Sequence, residues 1–503
     1  MDYRRPRGDI TTVLDYTERD AQDGLLFPLD TSGSWFHRST NQTTYPGTTV
    51  YQEFPHKGTA EWGGRFVFDI GNFQAGDLLN SVILQIRLGH WYDPITISKM
   101  ESGEYTVVEN PDPLTGATPP WTYIDSLGTA IIDYAEFEVG DQTLERIDGE
   151  FIRSYFNMYP DINMQFGPAA DAIGYAPIGY LATNSGLFNP NRPWPIDRGI
   201  YTCILPFFFS RVRLQEYFPL LSCSSGNVRI IVQLRPFCDM VRSITGQRCT
   251  CTDTPLSQTV RFSVSGGGHV NVATSTTEPA FQDFRIVTVG TLLSDSVRQT
   301  YMRTPFEQMF KLVQGFKFTE PLTFLVSKTD SNTDTIDIQL PLELNQPVQD
   351  IFWVFRRKAA AINNEWALFA PFVETQYSPE RGFPEWLAKA TLRVNGFVVD
   401  QAPGEWWRWH FARSHVGAYT PWATYIYGYC FARNPDVHQP SGTANMSRAQ
   451  TVTLRLSVNV PIAVSAPSGF DESVEQGWEV YVYALYCNWI RFENGICNRI
   501  FNT

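Results

Sequence analysis

The sequence predicts an all-β fold made of two consecutive antiparallel units. Three observations predict it. Apolar runs are short, rich in β-branched and aromatic residues, and separated throughout by the chain's 36 glycines and 33 prolines. Helical signals are few. A segment near residue 135 recurs near residue 390, in a chain whose 503 residues exceed the ~250–300 that a single core holds.

Residues 1–59 read as an N-terminal arm and lead-in. Arg4, Arg5 and Arg7 make the arm basic, and no apolar stretch comes after them, so no secretory signal is expected. Period-two alternation starts at 64–70 (GRFVFDI) and continues in 78–88 (LLNSVILQIRL) and 129–139 (TAIIDYAEFEV). Strands at 227–234 and 284–293 close the first unit, 60–293, which carries a polar, Gly-rich insertion at 238–284. That insertion is expected to project from the surface and to be dispensable for folding, as long polar connections commonly are. Ser294-Asp295 suits a helix cap, and Pro305 breaks the helical pattern, so 294–306 reads as a linker with short helical structure. The second unit, 307–503, offers strands at 335–344, 350–355, 390–399, 425–431, 451–458 and 478–486.

The repeat supports the division. Residues 135–156 (AEFEVGDQTLERIDGEFIRSYF) and 390–411 (ATLRVNGFVVDQAPGEWWRWHF) align at a constant offset of 255. Val139 meets Val394, Gly149 meets Gly404, Glu150 meets Glu405, Arg153 meets Arg408, and Phe151 falls opposite Trp406. About eight strands per unit, without the amphipathic helices of parallel α/β folds and without the ~40–50-residue repeat of a propeller, predict tandem eight-stranded antiparallel jelly rolls.

Composition bounds the function. Lys+Arg is 39 against Asp+Glu 52, a net charge of −13, which disfavours general or sequence-specific nucleic-acid binding. Charged residues are only 18% of the chain, and 32 of the 39 cations are Arg. Arg tolerates interfacial burial better than Lys, so the surface suits association with copies or partners. No apolar run reaches the ~20 residues of a membrane-spanning helix. Eight cysteines make no disulfide framework, and Cys249-x-Cys251 is spaced too closely for a zinc pair. The seven histidines include no His-x-His pair, and His410 and His415 read as surface or structural residues. The segment 330–334 starts like a calcium loop but has Thr335 and Pro341 where Gly and Glu belong. No cofactor, metal or catalytic set is expected.

Specific segments carry a resemblance. Residues 136–140 with the adjoining Gly-Glu-aromatic segment, 205–211 (LPFFFSR) with 217–221 (YFPLL), 439–448 (QPSGTANMSR) and 481–492 (YVYALYCNWIRF) resemble the major capsid proteins of nucleocytoplasmic large DNA viruses. The resemblance spans about residues 60–500 and implies a double jelly-roll virion protein, a structural one and no enzyme. It implies homotrimeric capsomers of pseudo-hexagonal outline that tile an icosahedral shell beside neighbouring capsomers. Minor capsid proteins and an inner membrane layer would lie beneath the shell, with synthesis in the host cytoplasm. The assembly and structural candidates are Glu150, Phe151, Arg153, Glu405, Trp406, Trp407, Arg408, Asn445 and Arg448. The Trp cluster at 406–409 also opens a carbohydrate-binding or carbohydrate-active alternative on the same tandem fold. The matching Phe151, Ile152 and Tyr155 weigh toward a docking segment between barrels or subunits instead.

Overall fold

The computed structural model describes residues 47–70, 75–89, 92–107, 121–124, 126–158, 200–211, 216–243, 256–320, 335–357, 364, 366, 369, 385–415, 425–459 and 478–501. Gly47–Thr503 forms one compact unit. The basic arm, the Cys249-x-Cys251 pair and the 330–334 loop lie outside the described residues.

Sixteen strands build two similar sheet pairs. The first eight are β1 (Gly47–Pro55), β2 (Arg65–Asp69), β3 (Leu78–Leu88), β4 (Ile132–Val139), β5 (Gln142–Asp148), β6 (Ile200–Ile204), β7 (Val228–Leu234) and β8 (Phe281–Leu293). They form the sheets β1-β8-β3-β6 and β2-β7-β4-β5. The second eight are β9 (Phe306–Glu320), β10 (Thr335–Leu342), β11 (Pro347–Arg357), β12 (Leu387–Val394), β13 (Phe397–Ala402), β14 (Ile426–Cys430), β15 (Val452–Asn459) and β16 (Trp478–Glu493). They form β9-β16-β11-β14 and β10-β15-β12-β13, and the short pieces Ala444–Asn445 and Ile496–Arg499 extend the first of these. Strand for strand, the second order repeats the first, and all pairing is antiparallel. These are tandem jelly rolls.

Alternation places the cores. In β3, Val82, Leu84 and Ile86 are buried between the sheets, while Ile83, Gln85 and Arg87 face outward. Strand β16 differs: Val480 to Cys487 is buried without a break, because both of its faces are covered. Of the helices among the described residues, those that bear on the seam and the linker are α1 (Gly149–Met158), α2 (Asp295–Arg303, with Ser294 at its N-cap) and α3 (Gly404–Ser414).

The duplication extends to irregularities. The β4–β5 ladder slips between Phe137 and Glu138, and the β12–β13 ladder between Leu392 and Arg393, both 255 residues on. The β4–β7 ladder slips between Ile132 and Tyr134, and β12–β15 between Leu387 and Lys389, at the same offset. A Cβ on Gly149 would lie 2.2 Å from Ile132 O, and one on Gly404 would lie 2.5 Å from Leu387 O. Glycine is required there because each helix starts hard against the strand two elements earlier.

Four sequence expectations change. Gly47–Pro55, read as lead-in, pairs along its whole length with β8. Only Phe54 in it is buried, so the strand shows no alternation to read. The strand expected at 390–399 is two strands, split at Asn395-Gly396, both in the left-handed region at φ 51° and 81°. Such Asn-Gly pairs make the tight hairpin turns that match strand twist. The short helix expected after the Ser294 cap is present at Asp295–Arg303, but the linker ends one residue earlier than 306, since Phe306 already belongs to β9. The insertion is not detached either: Thr259–Val264 pairs with both His269–Ala273 and Tyr105–Val107, and Val260 and Phe262 are fully buried.

Candidate assembly interface

Helix α1 is the centre of the seam between the jelly rolls. Every residue from Gly149 to Met158 is buried. Its N-terminus is capped by Asp148, whose Oδ1 accepts the Phe151 N–H at 2.7 Å. The same oxygen accepts the Tyr483 hydroxyl from β16 at 2.7 Å. Phe151 stands against Phe352 of β11 and Tyr483, at centroid distances of 6.2 and 5.3 Å. First-unit helix and second-unit sheet therefore share one aromatic layer.

Charge is buried in the same seam. Glu150 Oε1 accepts from Arg235 Nη2 at 2.9 Å and from Arg356 Nη1 at 2.5 Å. Arg356 also donates to Glu479 Oε2 at 2.9 Å. Trp366 lies under both guanidinium groups, at 3.9 Å from Arg235 and 4.8 Å from Arg356. Burial alone would push the Glu150 carboxyl up, but the two arginines outweigh it and hold it at about 2. Burial and the charge of Glu150 push Asp148 up to about 6. A buried carboxylate survives because it is paired and hydrogen-bonded.

A second tie lies alongside. Arg211 Nη2 donates to Glu145 Oε1 at 2.7 Å, and Arg211 Nη1 donates to the Lys311 carbonyl in β9. Glu145 also accepts the N–H groups of Phe208 and Val313, at 2.7 and 3.1 Å. A third pairs His438 Nδ1 with Glu216 Oε1 at 2.6 Å.

The candidates from the repeat separate here. Glu150, Phe151 and Arg153 are all buried in the seam. On α3, Trp407 is buried against Trp353 and donates from Nε1 to Ala402 O at 3.0 Å. Arg408 pairs with Glu385 Oε2 at 2.9 Å. Glu405 is exposed, Trp406 is 41% exposed and Trp409 is 52% exposed. Asn445 and Arg448 are exposed too and join neither group. Their motif anchors itself through buried Met446, whose N–H donates to Gln346 O at 3.1 Å.

Sequence reading missed Arg235, Arg356, Glu145 and Arg211. Their partners lie 63 to 206 residues away, and no local pattern announces such pairs. It also missed a buried trio. Asp350, His415 and Cys430 each bring a donor atom within 4.8 Å of the others. His415 Nδ1 is held by Asp436 at 2.7 Å. Burial pushes the Cys430 thiol up, and Asp350 adds to it. The Lys311 ammonium lies near the same carboxylates and donates to Pro435 O at 2.7 Å. A protonated thiol with an ammonium beside it suits a neutralised structural cluster better than a bound cation.

Two matched jelly rolls locked through a paired, desolvated seam define the class: a double jelly-roll protein. A family model described as "Large eukaryotic DNA virus major capsid protein" matches residues 303–498, and one described as "Major capsid protein N-terminus" matches residues 34–265. The chain belongs to the major capsid protein family of large eukaryotic DNA viruses. Among solved structures, it is similar to the PBCV-1 virus capsid, with 15% identity, TM-score 0.62, and coverage of 93% of this chain and 100% of that one. It is similar to the Faustovirus major capsid protein, with 12% identity, TM-score 0.60 and 96% of each chain covered. The Sputnik virophage structure gives 9% identity, TM-score 0.55, and 96% and 92% coverage. At these identities the structures speak for the fold, and the family models for membership. No curated protein matches in sequence. The chain is a structural capsid protein of the virion and no enzyme. The carbohydrate alternative finds no support among the comparisons.

Proposed function

We propose that three copies of this chain associate about a three-fold axis into a capsomer of pseudo-hexagonal outline, and that such capsomers tile an icosahedral shell. The observation that carries this reading is the duplication: two jelly rolls with one strand order and shared ladder irregularities in a single chain. A three-fold ring needs two different, complementary faces per subunit, because its contacts are heterologous. Two similar but unequal barrels supply such faces. The domains are taken as 60–293 and 307–503, joined through 294–306, with β1 added to the first. The basic arm at Arg4, Arg5 and Arg7 is assigned to the inner side, toward a minor capsid protein or a membrane layer. The free thiols of Cys203, Cys223, Cys430, Cys487 and Cys497 suit synthesis in a reducing host cytoplasm.

Light scattering on the purified protein tests the reading. The expected species has three times the 57.2 kDa chain mass and persists in moderate salt, since apolar burial is not screened. A monodisperse monomer at micromolar concentration would overturn it.

A further inference from the structure

Helix α1 is covered by β11 and β16 of its own chain, whereas the corresponding face of α3 is open. We propose that a second copy covers α3 in the same manner: Glu405 pairs with the partner's Arg87, and Trp406 seats against the partner's Ile83 and the partner's Val287. The proposal rests on the trimer reading and deepens it by assigning the contact.

The assignment comes from the internal seam. Strand β11 slips against β16 at Gln349, where Val348 faces Tyr486 and Asp350 faces Leu485. Strand β3 slips against β8 at Asn80, where Leu79 faces Gly290 and Ser81 faces Val289. Those slips align the two sheets residue by residue. Phe352, three residues past the slip, corresponds to Ile83, and Arg356, seven past it, corresponds to Arg87. Tyr483, cross-strand from Phe352, corresponds to Val287, cross-strand from Ile83. On the helix side, Glu150 and Phe151 correspond to Glu405 and Trp406. The buried pair Glu150–Arg356 thus has Glu405 and Arg87 in its two places, of opposite charge and both exposed.

Size fits as well as charge. Inside the chain, a Phe on the helix meets Phe352 and Tyr483 on the sheet. At the open site the helix carries the larger Trp406, and the sheet carries the smaller Ile83 and Val287, half-buried on its outward face. Aromatic bulk has moved from one side of the contact to the other, which keeps the volume between them filled. Nor is Glu405 served by its own barrel as Glu150 is. The N–H of Arg235 donates to Ile131 O, and that of Asn459 to Trp386 O, 255 residues on from Ile131. Asn459 therefore stands where Arg235 does, and its amide donates to Glu385 O instead. Among the described residues no arginine of its own barrel pairs with Glu405, and we take that arginine from another copy. Each copy offers one α3 and one β3–β8 face, so three close a ring in which internal and external seams alternate.

Charge exchange tests the contact on the full chain. Glu405→Arg alone and Arg87→Glu alone are each expected to raise the trimer's dissociation constant by about tenfold or more, as like charges face each other at a desolvated contact. The double exchange is expected to restore it to within about threefold of wild type. Independently, Trp406→Cys combined with Val287→Cys is expected to link chains into covalent trimers on oxidation, with neither single variant doing so. A wild-type trimer that is indifferent to both single exchanges, or that yields no covalent trimer, overturns this contact alone. A wild-type monomer overturns the trimer reading beneath it.

Discussion

Helix α1 buries every residue from Gly149 to Met158, while α3, starting at the matching position of the same motif, buries Gly404, Trp407 and Phe411 only. Both come after a strand–turn–strand unit with the same ladder slips, and both open on a glycine pressed against a carbonyl of the preceding unit. The barrel beneath each helix is thus the same. What differs is the cover. Over α1 lie Phe352, Arg356, Tyr481 and Tyr483 of the second jelly roll, which turn Glu150 into a buried, twice-paired carboxylate. Over α3 lies solvent, and its Glu405, Trp406 and Trp409 remain at the surface. A repeated motif fixes which residues point outward, and its neighbour decides whether they become core or contact surface.

The largest expected effect breaks the cover over α1. Arg356→Ala leaves Glu479 without its arginine and Glu150 with one, and should destabilise the fold by about 3–5 kcal/mol, read from denaturant unfolding. Glu405→Ala, the matching change on α3, should stay within about 0.5 kcal/mol in the dissociated subunit. Equal costs would mean the seam is not held by its charges. A second pair sharpens the common ground. Gly149→Ala and Gly404→Ala should each cost about 1–3 kcal/mol, because the added methyl meets a carbonyl oxygen in both places. A harmless Gly404→Ala would remove the claim that both helices start alike.

The smallest effect is a pH dependence confined to α1. Asp148 sits at about 6 in the fold against an ordinary 3.8, so it contributes stability below 3.8 that is lost as pH rises through 6. Glu150, held at about 2 against 4.5, contributes stability above 4.5 that is lost as pH falls toward 2. Asp148→Asn should therefore gain on wild type as pH rises from 3.8 to 6, seen as diverging melting midpoints. Parallel midpoints across that window would show that Asp148 is not protonated in the fold.

Much of this was readable in the chain. Alternation in 78–88 placed β3 to the residue, and the 255-residue offset aligned Gly149 with Gly404, the two glycines that open α1 and α3. It also grouped Glu150 with Glu405 and Phe151 with Trp406. What could not be read is that one member of each pair is core and the other surface, because the cover comes from residues 206 to 335 positions away. Arg356 in the run FWVFRR looks like the polar end of a strand, and only its tertiary setting makes it the partner of Glu150. Strand β1 escaped for another reason: at a sheet edge with a single buried residue, no hydrophobic period exists to be read.

The most direct test is an electron cryomicroscopy map of the assembled capsomer. The expected map is a three-fold ring in which Gly404–Ser414 of each subunit lies on Leu78–Leu88 and Phe281–Leu293 of the next, reproducing the α1 seam at the alternate positions. A ring in which those helices face solvent, or in which second jelly rolls pack against one another, would contradict it.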